Sequence, residues 1–174
     1  MNDRPGIYNV LFLCTGNSAR SILAEAYMNA RGCRQFRAYS AGSHASGRVN
    51  PDALELLVTL GFSIAGLRSK SWDEFARSDA PHMDFIITVC DNAAGEVCPV
   101  WPGHPATAHW PFPDPAAFTG SRADTREVFL GVFTQICTRI DKFLELPIGS
   151  LDAQALRREM AKIGLASVSP EGMS

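Results

Sequence analysis

The residues best suited to covalent chemistry in this chain are a cysteine and an arginine, Cys14 and Arg20, with five residues between them. A largely apolar run at 8–13 precedes the cysteine, and a helical pattern begins near Ser18. This order predicts a thiol on the loop between a buried strand and a helix N-terminus. Backbone N–H groups and the helix dipole at such a turn bind a tetrahedral oxyanion and favour a thiolate. We therefore expect Cys14 to be a nucleophile and the Arg20 guanidinium to hold two oxygens of a phosphate-like ion.

The loop between these two residues has the composition that such a site needs. Gly16 permits close approach of the anion, Asn17 tolerates left-handed backbone geometry, and Ser21 can donate a hydrogen bond to the sulfur. The residues expected to surround the ion are Thr15, Gly16, Asn17, Ser18, Ala19, Arg20 and Ser21. The alternative is a buried cysteine at the end of a strand and a surface arginine in the helix. The strand before the loop, the helix after it and the small polar residues within it together favour the anion site.

A second candidate is Asp114, which stands between two prolines in a late loop. A nucleophile that attacks a tetrahedral oxyanion must expel an oxygen, and a carboxylic acid can protonate this leaving group. The alternative is an ordinary turn aspartate. Spacing alone leaves both interpretations open.

Two further thiols, Cys90 and Cys98, have seven residues between them. They could be buried thiols, or half of a metal site. A zinc site usually needs four ligands at tighter spacing, and no second Cys/His pair is evident, so no metal is predicted. The more specific interpretation is a redox pair. One thiol attacks a sulfur adduct on Cys14, and the other resolves the disulfide that forms. Cys33 and Cys137 have no such context, and the histidines form no catalytic motif.

Length and charge exclude several classes of protein. The chain has 174 residues, 46% of them hydrophobic, and a net charge of -2, so we expect a single folded core and no nucleic-acid partner. The polar start and the short first apolar run predict neither a signal peptide nor a membrane span. We therefore expect a cytoplasmic protein with reduced cysteines.

The elements that position these residues alternate between strands and helices. Predicted strands lie at 8–13, 36–41, 84–89 and 107–110, and helical patterns lie at 18–32, 50–61, 128–143 and 150–164. A capping box at Ser71 and Glu74 predicts one short helix more, and Ser150 is the predicted cap of the last helix. Such alternation predicts a parallel sheet with helices on both faces. Cys14, Cys90 and Asp114 each follow a strand, so we expect them at the same edge of the sheet.

The segment 10–21, with Ala24-Glu25-Ala26 after it, resembles the low-molecular-weight protein tyrosine phosphatase superfamily, as do 40–42 and 114–115. Within this superfamily the closer likeness is to the arsenate reductases. The segments that carry this likeness are 14–18, 89–91, 98–99 and 109–110. The phosphatases more often have a second cysteine before the arginine and a proline after the serine, where this chain has Ala19 and Ile22.

The resemblance implies a fold and a reaction. The fold is a three-layer sandwich with a central four-stranded parallel sheet of the low-molecular-weight phosphatase type, in a domain at 1–150. An extra C-terminal helix and tail follow at 151–174. Cys14 would attack arsenate held by the loop and Arg20, with Asp114 as the acid. Cys90 would then release arsenite by forming a disulfide with Cys14, and Cys98 would free Cys14. Thioredoxin or glutaredoxin would reduce the remaining disulfide, and no cofactor is expected.

This chain departs from the family pattern in two places. The gap between Cys90 and Cys98 is one residue longer than in the thioredoxin-coupled enzymes, and the helix after Pro147 is additional. Some relatives also hold a potassium ion through residues that match Asn17, Glu25 and Ser40. In this chain a buried glutamate could equally pair with a backbone donor.

Two alternatives to arsenate reduction remain. One is a phosphatase that hydrolyses phosphotyrosine or small phosphate esters with the same loop, with Cys90 and Cys98 as bystanders. The other is a non-catalytic oxyanion-binding module, which the intact Cys14, Arg20 and Asp114 disfavour. The phosphatases tend to have aromatic residues after Asp-Pro, whereas Ala116-Ala117 follow here and favour a small inorganic substrate.

Overall fold

A computed structural model describes residues 7–32, 34–90 and 105–165. Its strands are β1 (Tyr8–Cys14), β2 (Phe36–Gly42), β3 (Phe85–Thr88) and β4 (Ala106–His109). Its α-helices are α1 (Arg20–Arg31), α2 (Pro51–Thr59), α3 (Arg122–Leu144) and α4 (Ala153–Leu165). Short 3-10 helices lie at Trp72–Phe75, Pro115–Ala117 and Ile148–Ser150. The strands form one sheet in the order β2-β1-β3-β4, with every neighbouring pair parallel. The predicted parallel four-stranded sheet and the C-terminal helix are confirmed.

Strand β1 is central because its side chains are apolar on both faces. Val10 and Phe12 point into the larger core with the four α-helices, while Leu11 and Leu13 point into a smaller core. All four side chains are fully buried. On the smaller side, the 3-10 helix at Trp72–Phe75 supplies the covering aromatic rings. A strand that is apolar on both faces is what a parallel sheet with two covered faces requires.

The strand register aligns the carboxyl ends of the four strands at the same edge of the sheet. Cys14 pairs with Gly42 of β2, and Leu13 pairs with Thr88 of β3. Thr88 in turn pairs with His109 of β4. The residues that follow these strands therefore emerge at one edge, as the alternating pattern predicted.

Two predicted helices start at other residues than expected, and a third has only half of its predicted cap. Helix α1 begins at Arg20 and not near Ser18, because residues 15–19 form the loop around the Cys14 sulfur. Ser71 is confirmed as the cap of the short helix, since its hydroxyl accepts from the Asp73 N–H, but Glu74 binds Arg68, so the second half of the capping box does not form. The last helix begins at Ala153, and the Asp152 carboxylate, not Ser150, accepts the hydrogen bond from the Ala155 N–H at 2.7 Å. In each case a competing interaction replaces the predicted one.

Helix α4 packs closely against the end of β4. The Trp110 indole is fully buried, and its Nε1–H donates to the Met160 carbonyl at 2.9 Å. A Cβ at Gly164 would lie 2.4 Å from the His109 carbonyl oxygen and 2.7 Å from the Trp110 ring. Only a glycine permits this approach. The additional helix therefore belongs to the core beside β4.

No helix of the described ranges is both long and apolar enough to cross a membrane.

Two helix glycines should respond to alanine in opposite directions. Gly164→Ala introduces a clash with β4 backbone, and we expect a loss of about 1–3 kcal/mol in the free energy of unfolding. At Gly131 in α3, an added Cβ would meet no atom within 4 Å, so Gly131→Ala should stabilise the protein by about 0.5–1 kcal/mol. Urea unfolding measures both values. A Gly164→Ala variant as stable as Gly131→Ala would contradict the packing described for α4.

Candidate active site

The Cys14 sulfur is enclosed by the loop that follows it. Cys14 is buried at the end of β1, and the chain turns back so that the Asn17 N–H donates to its Sγ at 3.1 Å. Asn17 has a φ of 46°, which is the left-handed geometry that the sequence allowed. The Ser21 hydroxyl lies 2.9 Å from the same sulfur. Two hydrogen-bond donors therefore converge on Sγ.

The Asn17 side chain sets the direction of these hydrogen bonds. It is fully buried, its Oδ1 accepts from the Lys70 N–H at 2.9 Å, and its Nδ2 donates to Ser21 at 2.8 Å and Ser40 at 2.9 Å. Because the Ser21 oxygen accepts from this amide, its own proton is directed to the Cys14 sulfur. One amide group thus orients a donor toward the thiol.

The loop also depends on a close approach to β2. A Cβ at Gly42 would lie 2.4 Å from the Thr15 carbonyl oxygen and 3.0 Å from the Asn17 nitrogen. The Ser43 and His44 N–H groups donate to the carbonyls of Cys14 and Thr15. A glycine at the end of β2 therefore allows the loop to fold over the sheet edge.

Behind the loop lies a buried ion pair. The Ser40 hydroxyl donates to Glu25 Oε1 at 2.6 Å, and the Lys70 ammonium lies 3.7 Å from the same oxygen. Burial raises the pKa of Glu25, while Ser40 and Lys70 oppose this shift, and burial lowers the pKa of Lys70. The side chain of Lys70 supplies the positive charge beside Glu25. The residues that match the potassium ligands of relatives therefore do not fit an added cation.

The second thiol is adjacent to the first. Cys90 hydrogen-bonds the Cys14 side chain, and its Sγ lies 3.6 Å from the Thr15 hydroxyl. Both cysteines are buried and reduced. This hydrogen bond and, next, burial raise the pKa of the Cys14 thiol, although Ser21 and Asn17 act to lower it. In this arrangement the neighbouring sulfur and desolvation outweigh the two donors, so the surroundings oppose the thiolate that the loop was expected to favour.

Arg20 connects the cysteine loop to the loop of Asp114. Its Nη1 donates to the Phe112 carbonyl at 3.0 Å, and its Nη2 lies 3.7 Å from Asp114 Oδ2. The other Asp114 oxygen accepts from the Ala116 N–H at 3.0 Å and caps a 3-10 helix. Asp114 is thus both a turn aspartate and a carboxyl beside the predicted anion-binding arginine.

The structure brings together Cys14, Ser21 and Cys90, and it places Arg20 beside Asp114. Cys98 and Cys33 lie outside the described residues. Cys137 is half-buried on α3, and burial raises its pKa to about 12. Lys70 was missed by the sequence analysis, since it lies in a loop without any motif.

Comparisons with known proteins agree with this geometry. The sequence signature of the low molecular weight phosphotyrosine protein phosphatases matches residues 9–162. The chain belongs to this family. An arsenate reductase of Shouchella clausii (strain KSM-K16) is 37% identical over 136 residues, which cover 78% of this chain and 94% of that relative.

Solved structures of family members are similar as well. A crystal structure of an arsenate reductase from Archaeoglobus fulgidus DSM 4304 has a TM-score of 0.56 and 30% identity, over 76% of this chain and 98% of that one. An arsenate reductase in the phosphate-binding state has a TM-score of 0.59 and 26% identity, over 79% and 96% of the two chains. The resemblance to the arsenate reductases of this superfamily is confirmed.

The ion pair behind the loop predicts a pH-dependent stability. A carboxyl whose folded pKa is raised contributes stability that is complete below its ordinary pKa of 4.5 and is lost as pH rises through the folded value. Lys70→Met removes a group that lowers the pKa of Glu25. The free energy of unfolding of the variant should therefore fall further below that of the wild type from pH 5 to pH 7, to a difference of about 3 kcal/mol. Urea unfolding across this range measures it. Lys142→Met, at an exposed position of α3, should differ from the wild type by the same free energy at every pH. A Lys70→Met difference that does not change with pH would contradict the ion pair of Glu25 and Lys70.

The titration of Cys14 should respond to both of its neighbours. Cys90→Ala removes the largest cause of the raised pKa, so the pKa of Cys14 should fall. Ser21→Ala removes a donor to the sulfur, so this pKa should rise. The pH dependence of iodoacetamide labelling, followed by mass spectrometry of the Cys14 peptide, gives both values. Shifts in the reverse directions would show that the described hydrogen bonds do not control the thiol.

Proposed function

We propose that this protein reduces arsenate to arsenite through Cys14 and a relay of thiols. The observation that carries the proposal is the second thiol, Cys90, in hydrogen-bond contact with Cys14 beside the anion loop. A phosphatase needs one cysteine, an arginine and an acid, whereas a reductase also needs a thiol that can attack the first sulfur. The curated relatives at about 37% identity that are named arsenate reductases support this choice.

In the first step the Cys14 sulfur attacks arsenic. An S–As bond forms and an As–O bond breaks. Asp114 is the proposed acid that protonates the departing oxygen, which leaves as water. Arg20 and the N–H groups of residues 15–21 are the proposed ligands of the remaining oxygens. Because the pKa of Cys14 is raised, we infer that its proton passes to the bound dianion as the sulfur attacks.

In the second step Cys90 attacks the Cys14 sulfur. A Cys14–Cys90 disulfide forms, the S–As bond breaks, its electron pair remains on arsenic, and the Cys90 proton passes to an oxygen of the departing arsenite. Arsenic is reduced from As(V) to As(III), and the two thiols lose the two electrons. The position of Cys90 beside the cysteine loop, with its Sγ 3.6 Å from the Thr15 hydroxyl, supports this step.

The last steps restore Cys14. Cys98 is proposed to attack Cys90, which frees Cys14 and leaves a Cys90–Cys98 disulfide. A dithiol protein of the thioredoxin or glutaredoxin class is the proposed reductant of that disulfide. A reducing compartment such as the cytoplasm would keep the three thiols ready.

The alternative function is hydrolysis of phosphate monoesters, which the family description itself favours. The same Cys14, Arg20 and Asp114 would serve, with water attacking a phospho-cysteine. The residues after Asp114-Pro115 are two alanines in a 3-10 helix, so no aromatic side chain at these positions can stack on a phosphotyrosine ring. This supports a small inorganic substrate.

Replacing the second thiol separates the two functions. Cys90→Ser should abolish arsenate turnover with thioredoxin or glutaredoxin, measured as arsenite formed, because no thiol then attacks Cys14. It should leave hydrolysis of 4-nitrophenyl phosphate within about threefold of wild type, as hydrolysis uses only the first thiol. Cys137→Ser, at a thiol outside the site, is the matched control with normal turnover.

Mass spectrometry gives a second test of the relay. Arsenate added without reductant should leave a Cys90–Cys98 disulfide in the wild type. Thiols that all stay reduced would favour the phosphatase, and equal arsenite formation by wild type and Cys90→Ser would rule out the relay.

A further inference from the structure

The position of Asp114 depends on the backbone that carries it. Its side chain is 44% exposed, so packing of the carboxyl itself does not hold it. The preceding segment, residues 110–114, is here called the acid loop. It leaves the sheet after β4, and it contains Pro111 and Pro113, which have no N–H and a restricted φ. Because two of its residues have no N–H group, the carbonyl oxygens of the acid loop are the main groups to which the rest of the protein can hydrogen-bond.

Two arginines hold adjacent carbonyls of the acid loop. Arg139 Nη1 donates to the Pro111 carbonyl at 2.6 Å, and Arg20 Nη1 donates to the Phe112 carbonyl at 3.0 Å. The start of the loop is anchored by the Trp110 N–H, which donates to the Thr88 carbonyl at 2.7 Å. The backbone just before Asp114 is thus held from α1 on one side and from α3 on the other.

The Arg139 guanidinium also supports the loop through a ring. It lies 4.6 Å from the centroid of Phe112, whose side chain is buried. Arg139 itself is 7% exposed, and burial lowers its pKa. Burying a guanidinium is costly unless carbonyl oxygens and aromatic faces replace its water. The acid loop supplies one of each, the Pro111 carbonyl oxygen and the Phe112 ring.

We propose that Arg139 is a positioning residue for the acid: by holding the Pro111 carbonyl and the Phe112 ring, it keeps Asp114 beside Arg20 at the departing oxygen. The inference rests on the proposed use of Asp114 as general acid. It does not depend on whether the substrate is arsenate or a phosphate ester, since both lose an oxygen from the same site. Among the residues that the structure describes, the acid loop connects Arg139 to Asp114.

The test compares three variants on α3. Arg139→Met should lower kcat for arsenate by about 10- to 100-fold, while KM changes less than about threefold, because the loss concerns leaving-group protonation and not anion binding. Arg139→Lys, which can still donate to the Pro111 carbonyl but does not stack as a plane, should recover part of this loss. Arg126→Met is the matched control. Arg126 lies on the same helix as Arg139, and it forms an exposed ion pair with Glu55 of α2.

A leaving-group comparison distinguishes positioning from general damage. Phenyl phosphate has a poor leaving group that needs an acid, whereas 4-nitrophenyl phosphate needs it little. Arg139→Met should therefore slow phenyl phosphate hydrolysis at least fivefold more than 4-nitrophenyl phosphate hydrolysis, as Asp114→Asn should. If the wild type turns over these esters but not arsenate, the proposed reductase function fails and the Arg139 inference is still decided on the esters.

A structural readout decides the inference without any activity. Amide hydrogen exchange of Phe112, whose N–H donates to the Val89 carbonyl at 3.3 Å, should become at least tenfold faster in Arg139→Met and unchanged in Arg126→Met. If Arg139→Met does not fold, Arg139→Lys takes its place in each comparison. Equal losses on both esters, a change confined to KM, or unaltered Phe112 exchange would overturn the proposal.

Discussion

The buried side-chain amide of Asn17 is the interaction on which the rest of the site depends. Its three hydrogen bonds join the cysteine loop to α1 through Ser21, to β2 through Ser40, and to a later loop through the Lys70 N–H. Its own backbone N–H points at the Cys14 sulfur, which requires the left-handed backbone. Because this amide is fully buried, a different loop conformation would leave several of its hydrogen-bonding groups unsatisfied. The observed conformation is therefore strongly favoured.

Charge is arranged on two sides of this amide. Behind it, Glu25 and Lys70 form a buried pair that meets the amide network through Ser40. In front, Arg20 lies next to Asp114 and the acid loop. The sulfur between them has two hydrogen-bond donors and a second thiol as neighbours, and the second thiol and burial raise its pKa. The proposed transfer of its proton to the bound arsenate follows from this raised pKa.

Much of this arrangement follows from local patterns. The doubly apolar β1, the Gly16-Asn17 turn and the strand-to-helix order predict where Cys14 lies, because periodicity and turn chemistry act over a few residues. Ser71 caps the short helix as predicted, but Glu74 pairs with Arg68 instead of completing the capping box, and Asp152 takes the place expected for Ser150. Such competition is decided by side-chain geometry, which a spacing pattern does not contain.

The sequence by itself determined the fold class and the family, and it predicted the nucleophile, its arginine and its acid, since these reside in short motifs. Only the tertiary structure decided the rest. Lys70 and Arg139 are far in the chain from Glu25 and Arg20, yet they supply the charge behind the loop and the support of the acid loop. Cys90 becomes the neighbour of Cys14 only because β1 and β3 pair in parallel. Contacts between distant segments depend on the packing of the whole core, and no local pattern encodes them.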